Sequence, residues 1–142
     1  MKKNITYFFN SLMILLSLFI LSCREDVILP ENLDTNVNQP IQSNETNSYS
    51  FTLNAQEISI DILNNANFTS NRARVNISIN DYSSGHVTVK VLDEQMNDRF
   101  SYFGNDNESF FTESLFGFIP GSVSIKAVEF TGNLKVELYR TF

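Results

Sequence analysis

His86 is the only histidine of this 142-residue chain and Cys23 its only cysteine, so few side chains could carry nucleophilic or metal chemistry. A zinc site built of histidines and cysteines is excluded by count. A serine–histidine–acid triad would have to use His86, and no Gly-x-Ser-x-Gly elbow is present. His86 follows Gly85 at the start of an alternating run, where an exposed imidazole at a strand edge is the expectation. Carboxylates are the remaining candidates. Asp93, Glu94 and Asp98 cluster behind that run, and Asp106 and Glu108 lie in Gly104-Asn105-Asp106-Asn107-Glu108. Two facing carboxylates could hydrolyse a glycosidic bond. The same oxygens could hold calcium, with Asp106 and Glu108 the place for it, although neither loop has EF-hand spacing. They could equally be solvated loops that present a ligand surface. No metal or cofactor is required by this set.

A second concentration of chemistry is aromatic. Phe100, Tyr102, Phe103, Phe110, Phe111, Phe116 and Phe118 follow one another closely. Rings that stack on sugars favour tryptophan and tyrosine, whose polar edge tolerates water. This set is rich in phenylalanine and the chain has no tryptophan, so core packing is expected for most of the rings. Several rings exposed together would instead mark a partner surface.

The elements that must position these groups are strands. Tyr49, Phe51 and Leu53 alternate with polar residues, as do Ile58, Ile60 and Ile62. Val75, Ile77 and Ile79; Val87, Val89 and Val91; Val123, Ile125 and Ala127; and Leu134, Val136 and Leu138 repeat the pattern. A period of two with one apolar face makes half-buried antiparallel strands. Residues 64–67, 69–71, Asp81-Tyr82-Ser83-Ser84-Gly85 and Gly132-Asn133 read as turns between the runs. About eight short strands with regular turn signals predict an all-β domain over 49–142, a single antiparallel β-sandwich of jelly-roll-like or Ig-like kind.

The amino-terminal end is of a different nature. Lys2 and Lys3 precede an apolar run, which closes on Ile20-Leu21-Ser22-Cys23. The order of charge, apolar run, small residue and cysteine resembles the lipobox of bacterial lipoproteins. The resemblance implies a helical signal peptide over 1–22, cleavage between Ser22 and Cys23, and a diacylglycerol and an acyl chain on Cys23. Arg24, Glu25 and Asp26 resemble the export tag of surface-exposed lipoproteins of Bacteroidetes, which implies an outer-membrane lipoprotein facing the medium. Residues 23–48, with Pro30, Pro40 and many asparagines, read as a flexible tether. The segments around Gly85, Ile119-Pro120-Gly121 and Thr131-Gly132-Asn133 resemble pre-peptidase C-terminal domains, which implies a binding module without catalysis.

Loss of residues 1–22 leaves 8 basic against 16 acidic residues, a net of −8, so a nucleic-acid partner is not expected. The sequence therefore predicts a non-enzymatic lipoprotein of the cell envelope, attached to the membrane by lipid, whose sandwich binds a glycan or a protein. Two alternatives stay open: a structural or accessory subunit of an envelope complex, and a small carboxylate-dependent hydrolase.

Overall fold

The computed structural model describes residues 36–142. The signal peptide, Ser22, Cys23, the Arg24–Asp26 tag and the tether up to residue 35 lie outside the described residues. Those that are described form an antiparallel β-sandwich with six strands and no helix. The strands are β1 (Ile41–Glu45), β2 (Ser48–Asn65), β3 (Arg72–Asp93), β4 (Asp98–Gly104), β5 (Glu108–Phe116) and β6 (Pro120–Arg140). Their order is β1-β2-β6-β3-β4, with β5 paired to the first part of β3.

Three strands are far longer than the sequence suggests. Each of β2, β3 and β6 joins two alternating runs that were expected to be separate strands. Residues 81–85 and 132–133, expected as turns, are irregularities inside these long strands. The register shifts between Ala55 and Ile58 and between Asn80 and His86, and positive φ occurs at Glu57, Asp81, Gly85, Glu129 and Gly132. Turns and bulges draw on the same residues because both need left-handed backbone. At Gly85 (φ +77) a methyl group would overlap the carbonyls of Val128 and Glu129, so only glycine fits.

The bulges divide the strands into two half-sheets. Half-sheet I contains β1, residues 48–55 of β2, 132–140 of β6, 72–80 of β3, and β5. Half-sheet II contains residues 58–65 of β2, 120–130 of β6, 84–93 of β3, and β4. One hydrophobic cluster takes side chains from both, among them Phe51, Leu53, Val75, Ile77, Val89, Val91, Ile125, Phe130, Val136 and Leu138. Phe130 lies at the bend, fully buried and 6.3 Å from the Tyr82 ring. The alternation thus identifies the inward face of every run, with Ile58, Ile60 and Ile62 only half buried.

The boundary of the domain also moves. Residues 36–48, expected to belong to the tether, are built into the sandwich. β1 pairs with β2, and Val37 bridges Asn54. The asparagines of this stretch act as clamps on backbone. Asn38 accepts from Gln56 N–H (2.7 Å) and donates to the Gln56 carbonyl (3.0 Å). Asn44 donates to the Asn65 carbonyl (2.8 Å), and the Asn47 side chain accepts from Thr69 N–H (2.8 Å). An amide side chain offers the same donor and acceptor as a peptide group, so it serves either a coil or a neighbouring strand.

Candidate functional site

The two acidic loops do not converge. Asp98 and Gly104 are the ends of β4, so the loops before and after this strand lie about 20 Å apart at 3.3 Å per residue. Asp93 is 2% exposed and holds its own loop together. Its carboxylate accepts from the backbone N–H groups of Gln95 (3.0 Å) and Asn97 (2.9 Å) and from the Asn97 amide, and it pairs with Arg99 (2.7 Å). Desolvation pushes its pKa up, but the bonds from Asn97, Arg99 and Gln95 outweigh this and hold it at about 2. Asp98 pairs with Lys90 (2.6 Å), and Glu94 is exposed. Asp106 accepts from Asn107 N–H (2.7 Å), while Glu108 accepts weakly from Phe110 N–H (3.4 Å). Among the described residues no three histidine, cysteine or acidic side chains are grouped to hold a metal ion. His86 lies against Phe103 with ring centroids 5.3 Å apart.

The aromatic segment divides by strand alternation. Phe100, Tyr102, Phe111 and Phe118 turn inward, half buried against the core. Burial pushes the Tyr102 phenol up, with a further push from the Glu108 charge. Phe103 (59% exposed), Phe110 and Phe116 (both 63%) turn outward. The exposed rings do not form one patch. Phe103 is on half-sheet II, while Phe110 and Phe116 sit six residues apart on β5, about 20 Å.

A cleft lies on the outer face of half-sheet I. Its volume is about 360 Å³, and its lining includes Thr52 and Asn54 of β2, Asn133 and Lys135 of β6, and Ser78 and Asn80 of β3. A shallower extension shares Ser78 and Lys135 and reaches Phe110 on β5. The strand register explains the alignment. Thr52, Lys135 and Ser78 are successive cross-strand neighbours, and so are Asn54, Asn133 and Asn80. The cleft therefore crosses four strands, about 14 Å at the usual strand spacing. Amides and hydroxyls line it together with Lys135, Asp81 and Leu134, and one exposed ring lies at the β5 end.

Charges in the cleft are placed by neighbours. Lys135 pairs with Glu137 (2.6 Å), and Asp81 accepts from the Asn133 amide (2.8 Å). That bond uses one amide hydrogen of Asn133, whose side chain also carries a second hydrogen and a carbonyl oxygen. Sequence reading named Asn133 only as a turn former, and it passed over Asn54, Ser78, Asn80 and Lys135. A signal was there: asparagine is depleted in strands, so asparagines at outward strand positions call for a role other than sheet formation.

No protein-family model matches the chain, and no curated protein matches it. Solved structures of similar fold include a mutant of the family 29 carbohydrate-binding module CBM29-2 complexed with cellulohexaose. It is 12% identical, with 70% of this chain and 74% of that chain covered, at a TM-score of 0.39. A subunit of the accessory secretory protein 1, 2 and 3 structure of Streptococcus pneumoniae is 7% identical over 72% of this chain and 86% of its own, at a TM-score of 0.37. A subunit of the disulfide-linked pili of Bacillus endospore appendages is 11% identical over 72% and 89%, also at a TM-score of 0.37. Carbohydrate-binding modules thus stand among the structural neighbours beside proteins of other kinds, and the likeness is one of strand architecture.

Proposed function

We propose that residues 36–142 form a non-catalytic glycan-binding module, carried outside the cell by a lipid anchor on Cys23. The cleft across half-sheet I supports this reading. A sugar presents hydroxyls that both donate and accept, and amide and hydroxyl side chains answer both. Thr52, Asn54, Ser78, Asn80 and Asn133 supply such groups from rigid strands, so little ordering is needed on binding. Phe110 supplies an apolar surface for the C–H face of a ring. The volume falls within the range of small-ligand sites.

The cleft is a poor active site. Its one unpaired carboxylate, Asp81, already accepts from Asn133, and Glu137 is neutralised by Lys135. Binding without turnover is what such a set can do. The lipid anchor rests on Lys2, Lys3, the apolar run and Ile20-Leu21-Ser22-Cys23, and the surface location on Arg24, Glu25 and Asp26.

Two measurements test the reading. Isothermal titration of residues 36–142 against a panel of soluble oligosaccharides should give saturable binding with no new reducing ends. Silence across the panel, or hydrolysis, would sink it. Acyl labelling in cells should be lost in Cys23→Ala, and membrane fractionation with it.

A further inference from the structure

Seven cationic side chains lie among the described residues, and four of them meet carboxylates: Lys90, Arg99, Lys126 and Lys135. Arg140 lies over the Phe142 ring at 5.1 Å. The guanidinium groups of Arg72 and Arg74 have no partner among the described residues. In a chain with 16 acidic residues, two neighbouring arginines without a carboxylate are out of keeping with the rest.

Their position is defined by the sheet. Arg72 and Arg74 are two apart on β3, pointing outward on the same face as the cleft, about 7 Å from each other. Ala73 and Val75 between and beyond them are core. Arg74 lies between Tyr139 on β6 and Ser114 on β5, and Arg72 lies opposite the exposed Phe116. The Tyr139 hydroxyl accepts from the Asn76 amide (3.3 Å) and keeps its own proton for another acceptor. Two planar cations, a phenol, a hydroxyl and an aromatic ring therefore share one exposed end of half-sheet I.

We infer that Arg72 and Arg74 bind the acid group, a carboxylate or a sulfate ester, of a glycan whose chain continues into the amide cleft. This rests on the glycan-binding reading above. Guanidinium groups match the two oxygens of a carboxylate or sulfate with paired N–H donors. Between the arginines and the cleft lies the row of Glu137, Asn76 and Thr112, in which Lys135 neutralises Glu137 and the amide and hydroxyl let a hydroxylated chain pass from one to the other.

The test compares full-length protein purified in detergent with Arg72→Ala/Arg74→Ala and Arg72→Gln/Arg74→Gln, after circular dichroism has verified folding. Probes are polygalacturonate, chondroitin sulfate, neutral mannan and cellohexaose, and phosphatidylglycerol vesicles without sugar. Expected is binding to one of the acidic glycans that weakens as salt is raised and falls ~10-fold or more in both variants, the scale of a lost charge-assisted pair. Neutral glycan bound as tightly as acidic, with no loss in the variants, would overturn the inference and leave the glycan reading standing. Retention of no glycan at all would overturn both. Arginine-dependent binding of the vesicles, with none to acidic glycan, would make the site a lipid site and overturn the inference.

Discussion

The two half-sheets share β2, β3 and β6, yet their outer faces differ. On half-sheet II the outward residues neutralise one another: Asp61 faces Lys126 at 3.9 Å, and Lys90 meets Asp98. What remains there includes Thr88, the exposed Leu63 and the His86–Phe103 ring pair, and its clefts are lined by Glu57, Ser84 and Glu129 and by Asn65, Asp93 and Met96. On half-sheet I Lys135 and Glu137 also pair, but amides and hydroxyls surround them, two arginines have no partner among the described residues, and the cleft crosses these strands. Inward positions are alike in both, apolar at every second residue. Strand pairing therefore fixes the core of both halves equally and leaves the outward side chains free to differ.

The bend that separates the halves is the place to break the comparison most severely. Phe130 fills the bend from the inside, so Phe130→Ala should lower the unfolding free energy by about 3–5 kcal/mol. Urea denaturation measures this, and a loss under about 1 kcal/mol would mean that the halves do not depend on a common core. Gly85→Ala acts on the backbone instead. The residue keeps φ near +77 and its methyl meets Val128 and Glu129, so a loss of about 2–3 kcal/mol is expected. An unchanged denaturation midpoint would show that the bulge can relax.

A smaller effect comes from Asp93, which closes the end of half-sheet II. Its carboxyl is held at about 2, below the ordinary 3.8, so the folded state favours the ionised form. The stabilisation is complete above the ordinary value and disappears as pH falls through about 2. Acid titration of wild type against Asp93→Asn should show the two stability curves converging over that window. Parallel curves would mean that Asp93 contributes nothing through its charge.

The same division explains what the sequence discloses. Alternation names the inward residues of β2, β3 and β6, because burial follows directly from a period of two. It does not tell a turn from a bulge, since Asp81, Gly85 and Gly132 suit either, and so β2, β3 and β6 are legible only as six shorter pieces. Asn38, Asn44 and Asn47 read as coil because a clamp depends on a partner far along the chain, such as Asn65 or Thr69. The cleft is invisible for the same reason. Thr52, Ser78 and Lys135 become neighbours only through the register of three strands. The aromatic segment was legible as a feature, but alternation along β4 and β5 decides ring by ring which side is wet.

The finest contrast is between single side chains on the two faces. Asn133→Ala removes an amide from the cleft and releases Asp81, whereas Phe103→Ala removes an exposed ring from half-sheet II that no cleft uses. Both positions are outward, so neither change should cost more than about 1 kcal/mol of stability. Their effects on binding should separate. Asn133→Ala should weaken oligosaccharide affinity about tenfold, near 1.4 kcal/mol, while Phe103→Ala leaves it unchanged. If Phe103→Ala is the variant that weakens binding, the ligand lies on half-sheet II, with the His86–Phe103 pair as its platform. If the two variants behave alike, the faces are not functionally distinct, and the asymmetry of the outward residues is a matter of solvation only.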